Sequence, residues 1–452
     1  MAAEDRAARG LIATVLALTS RSGNQLTQAV ASTPGRVVRS VRRFWGALGP
    51  GVITGAADDD PSGIATYSIA GAQFGTALLW SSLVTWPLMA AVQAMCARIG
   101  MVTGRGLMGA LEHKFPRWLL AAGCFALFVA NTINVGADLS GMADAMELLT
   151  KVNSHLWVVL FGAVIGVATI RLRYAAVANV LKWLTLALFA YVVAAIRIGP
   201  DWGAALRDTL IPSLPHSSGA WATLVAILGT TISPYLFFWQ ASQEVEEEKA
   251  LGRHTLVARR GVTKDEMGRR KFDVGVGTFF SNLVMFFIIV TTASTLHVHG
   301  ITRLETSAEV AQALRPLAGR FATLLYTIGI VATGVLAIPT LAGSAAYAFA
   351  ELFNWRQGID EHFRGAPAFY SVLSLSIGMG ILLDYTNVRP VQALYWTAVV
   401  NGLLAPFLLT AILLAASDRK LMEGQPSSTL GRTVVAITTV AMFGAAFGMF
   451  AF

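Results

Sequence analysis

Charge is scarce in this 452-residue chain: 13% of residues are Asp, Glu, Lys or Arg, against roughly a quarter in an ordinary soluble domain. So little charge cannot clothe a water-exposed surface of this size, which excludes a soluble globular protein. Cysteine is almost absent. Cys96 and Cys124 each fall inside an apolar run, so they read as small buried hydrophobes and not as a disulfide frame or a metal pair. No Cys/His or Ser/His constellation gathers at one depth, and the loops are too short for a separate catalytic domain, so an enzyme is not expected. The net charge of +8 is spread among loops and forms no basic polar domain, which argues against a nucleic-acid partner.

What the chain has in abundance is apolar sequence: 55% of residues, with a mean hydropathy of +0.60. Runs of about 20 apolar residues recur, each long enough to cross a hydrocarbon core of about 30 Å at 1.5 Å per residue. Eleven spans are expected, at 46–73, 77–100, 119–149, 156–170, 178–198, 221–243, 272–297, 322–350, 367–385, 391–416 and 433–452. The protein is thus an all-α polytopic membrane protein whose first partner is the lipid bilayer. Of the 34 Lys and Arg, 27 fall in or beside segments on one side, and positive charge resists translocation, so that side is expected to be cytoplasmic. Residues 1–45 carry seven arginines and an apolar stretch, Leu11 to Leu18, too short to span. They read as a basic cytoplasmic tail ahead of a transmembrane domain over 46–452. The segment from Lys249 to Lys271, with Arg253, Arg259, Arg260, Arg269 and Arg270, reads as a solvated linker that enforces topology. Glu244, Glu246, Glu247 and Glu248 read as a solvated helix end, with a metal-attracting vestibule as the alternative.

Two spans are interrupted at matching places. The first contains Asp60-Pro61-Ser62-Gly63 and the sixth, five spans later, Thr231-Ile232-Ser233-Pro234-Tyr235. Proline has no amide proton and clashes with the preceding turn, so each span should unwind there and free carbonyls and amides at mid-depth. Two such prolines could be ordinary kinks. Matching breaks in the two halves of a chain, however, mark the central site of an inverted-repeat transporter. The run Asp58-Asp59-Asp60 favours the second reading, because one ionised carboxylate near the bilayer centre costs at least about 2.5–3.5 kcal/mol. Three need a cation or water. Successive helical positions point about 100° apart, so all three cannot face one ion unless the helix is already unwound. Asp60 ranks first, while Asp58 and Asp59 either assist, line a water-filled vestibule or pair with a basic group.

These stretches, with Gly49-Pro50-Gly51, Ile64-Ala65-Thr66, the run from Ala97 to Arg105, Asp138-Leu139 and Arg270-Lys271-Phe272-Asp273 leading to Asn282, resemble the natural resistance-associated macrophage protein (NRAMP) family of divalent metal transporters over roughly residues 46–415. The resemblance implies a leucine-transporter-like fold: two inverted five-helix repeats, 46–198 and 221–416, with helices 1 and 6 unwound, then an eleventh helix at 433–452. Asp60 takes the place of the family's metal-binding aspartate and Ala57 that of a residue contributing its carbonyl. Gly63 stands where the family has an asparagine ligand. Ser233-Pro234-Tyr235 replaces Met-Pro-His, with Thr230 placed to offer a carbonyl. A soft thioether has become a hard hydroxyl, and hard oxygen donors suit Mg²⁺ and Mn²⁺. Loss of the methionine and asparagine also implies a larger cavity for a partly hydrated ion.

Family members couple metal to protons through acids on helix 3 and histidines on helix 6. Asp138 matches one acid, but Gly141, Tyr235 and Gln240 replace the other groups, so coupling is expected to be weak or absent. Asn401 in the tenth span is a further candidate for an amide oxygen, and His297 and His299 on a loop read as unliganded. The expectation is therefore a monomeric, alternating-access facilitator of divalent cations in a bacterial inner membrane, with no resident cofactor. A proton-coupled Mn²⁺ or Fe²⁺ importer, a sodium-coupled symporter of an organic substrate and a non-transporting metal sensor are the alternatives.

Overall fold

The computed structural model describes residues 54–55, 57–172, 185–215, 217–386 and 388–451. The basic segment 1–45, the Gly49-Pro50-Gly51 motif and residues 178–184 of the expected fifth span lie outside the described residues. Among the described residues every regular element is helical. The helices of ten residues or more are α1 (Pro61–Phe74), α2 (Trp80–Thr103), α3 (Arg117–Thr150), α4 (Ser154–Arg171), α5 (Phe189–Ile198), α6 (Ser218–Thr231), α7 (Pro234–Ala250), α8 (Lys264–Thr295), α9 (Ala322–Leu352), α10 (Pro367–Leu383), α11 (Pro390–Ser417) and α12 (Thr429–Ala451).

Nine stretches among the described residues are long and apolar enough to cross a membrane, α6 and α7 together making one of them. The protein is a multi-pass integral membrane protein. The remaining two expected spans, the first and the fifth, are represented by the shorter α1 and α5, whose lead-in residues fall wholly or partly outside the description. Large apolar side chains such as Trp118, Val440, Phe447 and Phe450 stay exposed, as a lipid-facing surface requires.

Both expected breaks are present. The first span is helical at residues 54–55 and 57–58, bends at Asp59 and restarts at Pro61. In the sixth, α6 ends at Thr231 and α7 starts at Pro234, with extended backbone at Ser233. Proline at the first helical position costs nothing there, since its missing N–H had no helical partner to lose. The broken helices lie against their neighbours at backbone distance. A Cβ on Gly229 would sit 2.0 Å from the Ala398 carbonyl oxygen of α11, and one on Gly55 would sit 2.5 Å from Gly277 of α8. Only glycine permits such an approach, which packing within lipid exploits.

The arginine-rich end corrects the linker expectation. α8 begins at Lys264, eight residues earlier than the expected seventh span, because Thr263 and Glu266 close a capping box. Arg259 donates to the Gly104 carbonyl at 3.3 Å and Arg260 pairs with Glu423 at 3.2 Å, so the segment is fastened to the end of α2 and to the turn between α11 and α12. Glu351 of α9 accepts the Gly109 amide at 2.9 Å. Asp418 is held below the ordinary carboxylate value by the Leu421 amide and the Lys114 ammonium. At the opposite end, Asp144 accepts the Ser307 amide at 2.9 Å, and His155 lies 2.5 Å from Asp384.

Candidate ion site at the helix breaks

Asp60 caps α1 as its residue type predicts. Its Oδ1 accepts from the Ser62 hydroxyl at 2.6 Å and the Gly63 amide at 2.8 Å, while Oδ2 accepts from Nδ2 of Asn134 on α3 at 3.1 Å. Asp58 and Asp59 turn the other way, to α8. The Ser281 hydroxyl lies 2.6 Å from Asp58 Oδ2 and 3.1 Å from Asp59 Oδ1. One hydroxyl has one proton to give, so two carboxylates compete for it. Asp58 Oδ1 is buried without a partner. All three aspartates are buried. Among the described residues no Lys, Arg or His pairs with them, and no three or more His, Cys, Asp or Glu side chains converge as a metal cage.

The break in the sixth span is chemically quieter. Ser233 Oγ donates to the carbonyls of Gly229 and Thr230, 2.7 Å from each. The Thr230 carbonyl, expected to face an ion, is therefore already an acceptor. Its hydroxyl lies 3.5 Å from Ser62 Oγ, where the two breaks meet. Tyr235 donates to the Ala57 carbonyl at 2.9 Å, which ties the start of α7 to the stub before α1. That carbonyl keeps one lone pair. A Cβ on Gly63 would sit 3.2 Å from Thr230 Oγ1 and 3.3 Å from the Tyr67 ring. The space beside Gly63 is thus bounded on that side by Thr230 and Tyr67.

Asp138 lies one turn beyond Asn134 on α3, with both carboxylate oxygens buried and unpartnered. A side chain at Gly141 would run into Leu394 of α11 at 2.8 Å. Asn401 is buried on α11 with its Oδ1 unpartnered, and no hydrogen bond among the described residues joins it to the breaks. His297 and His299 each use Nδ1 on a backbone carbonyl, of Ala72 and Thr295.

The glutamate run is more than a solvated end: Glu247 is partly exposed, but its neighbours are tied to basic groups. Glu244 is buried and bonded to Arg270 of α8 at 2.8 Å and to Gln240 at 2.7 Å. Arg270 also meets Glu247, and Asp273 at 3.0 Å, while Arg253 holds Glu248 at 2.5 Å. The linker arginines and the glutamates answer each other across α7 and α8. Asn134 and Ser281 were missed by sequence reasoning. Their signal was polar side chains inside otherwise apolar spans, a pattern that marks function or helix contact in lipid.

The chain is 28% identical over 345 residues to the divalent metal cation transporter MntH of Yersinia enterocolitica, covering 70% of this chain and 76% of that protein. A crystal structure of the Eremococcus coleocola manganese transporter superposes with a TM-score of 0.71 at 17% identity, over 91% of this chain and 87% of that one. MhsT bound to L-phenylalanine follows at a TM-score of 0.56 and 14% identity, over 88% and 98%. These structural likenesses establish a leucine-transporter-like fold. The model of the natural resistance-associated macrophage protein-like (Nramp) family matches residues 51–451, and the chain belongs to that family.

Proposed function

We propose that this protein carries divalent metal cations, Mg²⁺ or Mn²⁺ with part of their hydration shell, across a membrane by alternating access, with weak or absent proton coupling. The observation that carries this reading is the group of three buried carboxylates at the first break, with no cation of the protein's own beside them among the described residues. Buried charge of one sign is stable only when compensated. A mobile cation provides the compensation here. Asp60 is the principal ligand, the free lone pair of the Ala57 carbonyl and the hydroxyl oxygens of Thr230 and Ser233 line the wall, and Asp58 and Asp59 attract the ion from the α8 side. All are hard oxygen donors, which suits Mg²⁺ and Mn²⁺ over softer metals. The relatives named as divalent metal cation transporters support the cargo class.

Weak coupling rests on three side chains. Tyr235 is committed to a carbonyl, Gln240 does not titrate, and Leu394 fills the space beside Gly141. The membrane potential, about 2.3 kcal/mol per charge per 100 mV, suffices to drive a divalent ion. The broken helix pair would rock against a scaffold of the other helices of the two repeats, 46–198 and 221–416, in a monomer placed in a bacterial inner membrane with the amino terminus in the cytoplasm. The unpartnered Asp138 favours a second reading, a proton-coupled importer.

Proteoliposomes loaded with a metal dye or a pH dye separate these readings. Saturable Mg²⁺ and Mn²⁺ influx without internal acidification is expected. Influx of Cd²⁺ or Fe²⁺, with Mg²⁺ neither carried nor competing, overturns the selectivity. Acidification in proportion to metal influx restores coupling, and binding without flux identifies a sensor.

A further inference from the structure

The first span has lost the amide oxygen that an asparagine at position 63 would offer, and Gly63 cannot replace it. An amide stands nearby on a different helix. Asn134 projects from α3 and its Nδ2 donates to Asp60 Oδ2 at 3.1 Å. Its Oδ1 belongs to the same planar group, is fully buried and has no partner. A buried amide oxygen left unsatisfied forfeits a hydrogen bond that folding ordinarily preserves. Beside a carboxylate with no protein cation, such an oxygen is suited to a positively charged ligand.

We infer that Asn134 is a cation ligand, supplying from α3 the amide oxygen that the first span lacks. The inference rests on the ion-site reading above and extends it to a third helix. In the ion-free arrangement the amide presents its N–H to Asp60, because its oxygen facing a carboxylate would be repelled. When a cation arrives at Asp60, a rotation about the terminal side-chain bond presents Oδ1 to the ion, and both oxygens then face one positive charge. Such a rotation is soft, since the torsion has broad minima. Asp138, one turn along the same helix face, places a second carboxylate behind the amide with both oxygens unpartnered. The set is carboxylate, amide and hydroxyl, the donor chemistry of Mg²⁺ and Mn²⁺.

Two substitutions test this, with binding followed by calorimetry on the purified full chain and folding checked by monodispersity. Asn134→Asp keeps the shape and keeps an oxygen donor, so Mn²⁺ affinity should stay within about threefold of wild type. Asn134→Cys exchanges a hard donor for a soft one. It should weaken Mg²⁺ by about tenfold or more while raising Cd²⁺ relative to Mg²⁺ by at least as much. If Asn134 merely positions Asp60 through its N–H, both variants lose that donor, all metals weaken together and the proposal is overturned. Unchanged affinities in both variants overturn it as well. Asp60→Asn is the control for the underlying reading. Binding lost in Asp60→Asn but untouched at Asn134 refutes this inference alone, whereas binding retained in Asp60→Asn refutes the ion site itself.

Discussion

Around Arg270 three carboxylates, those of Glu244, Glu247 and Asp273, converge on a cation that the chain supplies. Asp58, Asp59 and Asp60 are buried as Glu244 and Asp273 are, while Glu247 is partly exposed, yet the partners of the three aspartates are hydroxyls, an amide side chain and a backbone N–H. The first cluster is complete as built and fastens α7 to α8. The second is left with negative charge that only an outside cation or a proton can balance. An arginine stands among the acids in one cluster and not in the other, and the proposed ion site is the one without it.

Arg270→Met should have the largest effect on the fold. Removing one partner from a buried ion cluster costs about 3–5 kcal/mol, and a fall in the thermal unfolding temperature of the detergent-solubilised protein reads it. The comparison fails if that variant is as stable as wild type. Asp59→Asn should act in the opposite sense and somewhat less strongly. It relieves the competition for Ser281 and stabilises the metal-free protein by about 1–3 kcal/mol, while weakening Mn²⁺ binding. A loss of stability there would show that Asp59 is already balanced. Tyr235→Phe removes one buried hydrogen bond and strands the Ala57 carbonyl, at a cost of about 1–2 kcal/mol, with metal affinity changed less than stability. Ser233→Ala should be the mildest. A serine hydroxyl bonded back to the end of the preceding helix contributes under about 1 kcal/mol, so thermal unfolding should barely move, while loss of a hard oxygen from the wall should weaken Mg²⁺ binding more than Cd²⁺ binding in calorimetry.

Much of the architecture was legible because it follows from hydropathy, proline and the charge of loops. The two prolines located both breaks to the residue, and Asp60 stands at the break as the sequence led one to expect. The partners did not show. Arg270 follows Glu244 by 26 positions on another helix, so a reading by local charge saw a solvated end and a solvated linker where the fold makes ion pairs. Ser281 and Asn134 were silent for a related reason: each is a single polar residue within an apolar span, and only the packing of α8 and α3 against the first break gives them meaning. The carbonyls of Ala57 and Thr230 each accept one hydrogen bond, because the hydroxyls replacing the family's methionine and histidine are also donors. A reading of Ser233 as an oxygen donor to the ion overlooked that its hydroxyl can also give a proton.

The central claim is that the charge at the first break belongs to a transported ion. Calorimetric titration of Mn²⁺ into the purified protein and into Asp60→Asn tests it most directly. Saturable binding by the wild type that disappears in the variant, with folding unchanged, is the predicted result. Equal binding by both proteins would contradict the account.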